Sequence, residues 1–207
     1  MGKLKQEAKV QTNATKDSVC SVNVPAVRFF DLWANYVSGS PYNDTSGEYK
    51  NQCAIRMSAT FHKIGIEMKS FSERTVKPAA GKKSIGRILL DGKASATRAP
   101  ELAEWLKLVP FCGLPQKPEN ITGKNWEAKV KGRTGIIMFD GYWMREGEAA
   151  AVASGGHIDL WNGSRLTNNG ALGTVETFLR FTLGVNSLPG LYSDLRNSKT
   201  ILFFEVQ

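Results

Sequence analysis

Apolar residues recur at helical spacing in three places in the first half of the chain. Val27, Phe30, Ala34 and Val37 mark the first, a predicted helix over 27–37 with Pro25 suited to its start. Cys53, Met57, Phe61, Ile64 and Met68 fall at i, i+4, i+8, i+11 and i+15. They form one stripe of a second helix, predicted over 52–64, with Gly65 as its stop. Leu102, Trp105, Leu106 and Val109 mark a third over 100–109, with Pro100 in its first turn. Beyond Gly113 the pattern becomes strand-like. Residues 129–131, 135–139, 157–161, 165–167 and 201–206 are short β-prone runs broken by Gly, Asn and Pro, with one helix expected at 175–183. Helices early and antiparallel strands late describe an α+β domain, helices packed on an antiparallel sheet. Residues 1–24, rich in Lys, Gln, Thr, Asn and Ser and without a period, are expected to be a flexible tail. Residues 25–207 then form one domain.

Size and composition agree with that organisation. A chain of 207 residues can bury roughly 70% of its unfolded surface without a disulfide framework. Apolar residues at 42% and charged residues at 22% exclude a largely disordered chain. The longest apolar runs, such as 201–204, fall far short of the ~20 residues of a membrane span. The polar, Lys-rich first 17 residues show no secretory signal, so export is expected to use a route that reads none. A net charge of +8 suits an anionic partner such as nucleic acid, a membrane surface or an acidic polymer. The basic residues are spread along the chain rather than gathered in one motif, which argues against a nucleic-acid-binding protein.

The candidate chemistry is confined to few residues. Cys20, Cys53 and Cys112 contain no CxxC pair, and His62 and His157 are the two histidines. Cys53 opens the second helix. The partial positive charge and unpaired N–H groups there favour a thiolate and could hold a developing oxyanion. A cysteine on an apolar stripe is equally a small core residue, and position alone leaves both readings open. His62, nine residues on, lies about 180° around the helix and faces away from Cys53. It reads as a surface histidine. His157 follows two glycines on a predicted strand, where the small residues admit another chain closely. Cysteine at a helix start and histidine on a following antiparallel sheet is the layout of papain-like amidases. Cys20 and Cys112 are expected to be free thiols, with a disulfide between them as the alternative. His157 and Asp159 lack further ligands at metal-binding spacing, so no metal or cofactor is expected.

Two motifs carry a specific resemblance. Asn51-Gln52-Cys53-Ala54-Ile55-Arg56-Met57-Ser58 and Gly156-His157-Ile158-Asp159-Leu160-Trp161-Asn162-Gly163 resemble the fourth family of type VI secretion amidase effectors. The likeness extends to Phe30-Asp31-Leu32-Trp33, to 98–106, to 132–139 and to Phe203-Phe204-Glu205-Val206, covering roughly 27–207. It implies an NlpC/P60-like, papain-type fold and a cysteine amidase that cuts the γ-D-glutamyl–meso-diaminopimelate bond of peptidoglycan stems. It also implies delivery into a neighbouring bacterium's periplasm, and a cognate immunity protein that blocks the cleft, typically as a dimer. The nucleophile and base carry over to Cys53 and His157, and Asn51, Gln52 and Trp161 become candidate substrate-binding positions. The family's third member is an Asp downstream of the His; the aligned position here holds Asn168. An enzyme of the same fold with another acyl substrate is the nearest competing expectation.

Asn162-Gly163 is a strong two-residue hairpin signal and predicts a type I′ turn. That turn would oppose Trp161 to Ser164, Asp159 to Leu166 and His157 to Asn168. Asn168 would then orient the imidazole, as in a Cys-His-Asn arrangement. Asp159, ~6.6 Å along the strand from His157, is the fallback for that role and is expected to meet substrate or backbone instead.

Overall fold

A computed structural model describes residues 5–11, 19–49, 51–143, 155–167 and 195–207. The expected helix at 175–183 and Asn168 lie outside the described residues. The centre is an antiparallel sheet of β5 (Glu119–Asn120), β6 (Gly135–Trp143), β7 (Gly155–Trp161) and β8 (Thr200–Glu205), in the order β5-β8-β6-β7. Both faces are covered, so its strands read as nearly continuous apolar runs rather than alternating ones. Ile136, Met138, Ile158, Leu160, Leu202 and Phe204 point into the core shared with the helices. Ile137, Phe139, Trp161, Ile201 and Phe203 point to a second cluster with Trp126 and Val130. Gly135 is required where β6 passes β8, because a Cβ there would lie 2.3 Å from Phe204 O.

On the first face lie α2 (Cys53–Lys63) and α3 (Ala99–Leu106). Met57 and Phe61 of the α2 stripe are wholly buried, and the helix stops as its sequence requires. Gly65 adopts φ +89°, and the Gly65 and Ile66 N–H groups donate to His62 O and Phe61 O. The first helix, α1 (Phe29–Ala34), is shorter than expected at both ends. The Asp31 carboxylate accepts from the Arg28 N–H at 3.3 Å and fixes the first turn there, not at Pro25. The third helix likewise ends at Leu106, before Val109.

Four features depart from what the sequence suggests. The supposed tail contains β1 (Lys5–Gln11) and β2 (Val19–Pro25), paired antiparallel; Val22 and Val24 supply the alternation that favours a strand. Residues 129–131 are not a strand. Trp126 and Val130, four apart and both buried, make a short helix, α4 (Trp126–Val130), facing the second cluster. Between α2 and α3 stands an unforeseen hairpin of β3 (Arg87–Leu90) and β4 (Lys93–Ala96). Its Asp91-Gly92 turn has positive φ at both residues, the type I′ signature.

The fourth correction concerns the turn after β7. Trp161 bridges Leu166, not Ser164, and the Asn162 N–H donates to Arg165 O. The Asn162 Oδ1 accepts from the N–H groups of Ser164 and Arg165 and from the Ser164 hydroxyl. That side chain stabilises a four-residue turn and shifts the register by two residues. Leu166 therefore pairs with Trp161 rather than Asp159. No helix among the described residues is long and apolar enough to cross a membrane.

Candidate active site

Cys53 is the first residue of α2, buried, at the end of the helix that points its N–H groups toward the edge strand β7. Its Sγ lies 4.0 Å from Gly156 O. Glycine at 156 eases the close packing there, since a Cβ would stand 3.2 Å from Phe139 O and 3.3 Å from Pro100 Cδ, tighter than side chains usually pack. Gln52, before the cysteine, is buried and hydrogen-bonds Tyr42 at both ends: Oε1 accepts from the Tyr42 N–H at 3.0 Å and Nε2 donates to Tyr42 O at 2.8 Å. It ties the preceding loop to the start of α2.

One residue beyond Gly156, the His157 side chain is 15% exposed and stacks on Phe139 with ring centroids 6.4 Å apart. Its ring lies against Cys53, and its Nε2 lies 3.3 Å from Asp159 Oδ2. Burial pushes the Cys53 thiol up, but the hydrogen bond and charge of His157, the Ile158 N–H and the Arg56 charge outweigh it and hold the thiol below its usual range. Burial pushes the His157 imidazole down. The hydrogen bonds and charges of Asp159 and Cys53 outweigh that and raise it well above the usual histidine range. The two shifts favour the same microstate, a thiolate paired with an imidazolium.

Asp159, 1% exposed, completes the row. Its Oδ1 accepts from the Leu160 N–H at 2.8 Å and from the Thr167 hydroxyl, leaving Oδ2 for His157. His157 and Asp159 occupy one face of β7 two residues apart, and their side chains lean together to close the gap between their Cα atoms. Asp159 thus stands behind the imidazole, where the sequence reading expected Asn168. Trp161, a candidate for substrate binding, is instead 2% exposed in the second core cluster, and its indole N–H donates to Val130 O at 2.9 Å. Of the other two candidates for that role, Asn51 is exposed beside Cys53, whereas Gln52 is engaged with Tyr42.

His62 sits on the opposite side of α2. It is half-buried rather than a surface residue, and its Nε2 donates to Ala94 O at 3.0 Å on β4. Cys112 is a partly buried free thiol, and Cys20 lies on β2. Among the described residues no cluster of three or more His, Cys, Asp or Glu side chains could hold a metal ion. Three neighbours of the site escaped the sequence reading: Tyr36, Arg56 and Thr167. Arg56 carried a usable signal, one helical turn from Cys53; Tyr36 and Thr167 reach the site through the tertiary fold alone.

The family model for the type VI secretion system amidase effector protein 4, Tae4, matches residues 49–204, about three quarters of the chain. The chain belongs to that family. As a member of the amidase effectors it is a peptidoglycan amidase and antibacterial toxin, an enzyme delivered into target bacteria by type VI secretion. No curated protein sequence matched it. Among solved structures, the Tae4–Tai4 effector–immunity complex from Enterobacter cloacae is 20% identical, with a TM-score of 0.51 over 87% of this chain and 98% of that one. The type VI effector Tae4 from Enterobacter cloacae is 18% identical, with a TM-score of 0.49 over 87% and 96% of the two chains. The Salmonella typhimurium Tae4 bound to the Enterobacter cloacae immunity protein Tai4 gives 18% and 0.49 over 86% and 98%. At such identities the likeness to the complex concerns fold, and it agrees with the expected papain-like α+β architecture.

Proposed function

We propose that this effector hydrolyses the γ-D-glutamyl–meso-diaminopimelate bond of peptidoglycan stems through a thioester on Cys53. The observation that supports this most is the buried Cys53–His157 pair at the N-terminus of α2, with Asp159 on the far side of the ring. In this scheme the Cys53 thiolate attacks the scissile carbonyl carbon and forms a C–S bond. The N–H groups at the start of α2 face the oxygen on which negative charge develops. The His157 imidazolium gives its proton to the leaving amine as the C–N bond breaks. The neutral imidazole then takes a proton from water, and the hydroxide adds to the thioester. The C–S bond then breaks, the γ-carboxyl group leaves and gives its proton to solvent, and the thiolate–imidazolium pair returns. Asp159 orients the ring and offsets its charge; Asn168 is the competing candidate for that role. Asn51, exposed beside the nucleophile, is the remaining candidate to touch substrate.

The place of action in this reading is the target's periplasm, where the stem peptides lie. The partner is a cognate immunity protein, in line with the Tae4–Tai4 complexes, acting as a dimer that covers the cleft. The +8 charge favours approach to stems that carry free carboxylates.

Mass spectrometry of isolated stem peptides after incubation tests the bond. Fragments ending in glutamate, absent with Cys53→Ala, are the expected result; cleavage elsewhere in the stem, or intact peptides, overturns the assignment. Expression in bacteria tests the compartment. Export to the periplasm should lyse cells while cytoplasmic expression does little harm, and equal toxicity from both would count against a cell-wall substrate.

A further inference from the structure

Behind the three aligned side chains lies a second set of polar groups drawn from three separate elements. With Cys53 as thiolate, His157 as imidazolium and Asp159 as carboxylate, the row carries a net negative charge in a largely water-excluded place. A buried carboxylate needs its acceptors filled and its charge balanced. Its Oδ1 is filled by the Leu160 N–H and by the hydroxyl of Thr167, which is 6% exposed just past the four-residue turn. The Tyr36 phenol, following α1, lies among Thr167, Arg56 and Asp159. Burial and the Asp159 charge push that phenol up, so it stays a neutral O–H.

Arg56 lies one turn beyond Cys53 on α2. Its Nη1 donates to Gly39 O at 3.1 Å, while its buried Nε–H meets no acceptor among the described residues. A buried N–H without a partner is costly, so something else must favour a guanidinium there. The segment bearing Tyr36 is clamped to the same helix: Thr60 Oγ1 accepts from the Val37 N–H at 3.0 Å and donates to Arg56 O at 2.9 Å. Among the described residues, the charged or titratable groups that face the row are Arg56 and Tyr36, while Asp140 on β6 lies near Gly156.

We propose that Thr167, Tyr36 and Arg56 are positioning residues for the Cys53–His157–Asp159 row: Thr167, braced by Tyr36, turns the Asp159 carboxylate toward His157, and Arg56 supplies the countercharge for the row. The proposal rests on the reading of Asp159 as the group that orients His157. It explains why a guanidinium with an unfilled Nε–H lies one turn from the nucleophile. It also gives a use to the four-residue turn, which brings Thr167 to the β7 carboxylate.

The test compares Thr167→Val, Thr167→Ser, Tyr36→Phe, Arg56→Met, Arg56→Lys and Asp159→Asn in the full chain. Three quantities are measured: stem-peptide hydrolysis against pH, the pH dependence of Cys53 alkylation by iodoacetamide, and thermal melting. Thr167→Val should lower kcat/KM about 10- to 100-fold and move the alkaline limb to lower pH, with Thr167→Ser restoring most of the loss. Tyr36→Phe should act in the same direction more weakly, and it keeps the test decisive should Thr167→Val not fold. Arg56→Met should shift the alkylation midpoint to higher pH, and Arg56→Lys should recover part of that shift. If the Thr167, Tyr36 and Arg56 variants melt lower but keep wild-type pH and alkylation profiles, their role is structural and the proposal fails. If Asp159→Asn itself keeps the wild-type rate, the reading of the row fails instead.

Discussion

Asp159→Asn is the change for which the structure gives the firmest expectation. The side chain is nearly isosteric, so packing around a residue 1% exposed should survive. Hydrogen bonding and charge do not. With Oδ1 still accepting from the Leu160 N–H and the Thr167 hydroxyl, the new amide must present its NH2 to His157 Nε2. Two donors then face each other unless the ring gives up that proton, which leaves the thiolate without its imidazolium. At 3.3 Å the lost attraction is on the order of 5 kcal/mol for an effective dielectric of about 20. Desolvation of the carboxylate offsets part of it. A net loss of about 3–5 kcal/mol in transition-state stabilisation corresponds to a drop of about 10²- to 10⁴-fold in kcat/KM. The assay is the initial rate on one purified stem peptide, with melting temperature and circular dichroism confirming an intact fold. A folded Asp159→Asn enzyme within threefold of the wild-type rate would refute the argument and pass the orienting role to Asn168, whose alanine variant should then be the inactive one.

The pH profile follows from the two opposed shifts at the dyad. The acid limb of kcat/KM should report the lowered Cys53 and the alkaline limb the raised His157, so the plateau extends above the ordinary histidine range; an alkaline limb near pH 6.5 contradicts the ion pair. Cys53→Ala should abolish hydrolysis yet melt near wild type, because the lost thiol leaves a small void at the helix start; residual activity above about one-thousandth would point to another nucleophile. His62→Ala should keep its rate within about twofold while losing about 0.5–1.5 kcal/mol of stability with its bond to Ala94 O, as read by denaturant titration; inactivation would mean that α2 is oriented wrongly. Gly156→Ala should lower both stability and rate, since its Cβ meets Phe139 O and Pro100 Cδ at 3.2 and 3.3 Å and must displace the neighbouring His157 strand; wild-type behaviour in both measurements would refute the close approach.

Where apolar spacing and local chain chemistry decide an element, the sequence alone was sufficient. The stripe from Cys53 to Phe61 and the glycine at 65 defined α2 to within a residue at each end, because helix periodicity and a left-handed stop are local properties. The same stripe placed Cys53 at a helix start and His62 away from it, and two short motifs led to the amidase effector family. The runs 135–139, 157–161 and 201–206 located three sheet strands, since continuous β-prone segments buried on both faces need no partner to be noticed. Register and side-chain direction belonged to the tertiary structure. One asparagine side chain turned an expected two-residue hairpin into a four-residue turn, moved the pairing by two residues and brought Thr167 to Asp159. Trp161 and Gln52 went to core and loop contacts that no spacing rule reports. Asp159 reached His157 because two side chains on one strand face can lean together, which a Cα separation does not describe. Tyr36 and Arg56 met behind the site because separate chain segments pack there, and such convergence has no period to be read from the sequence.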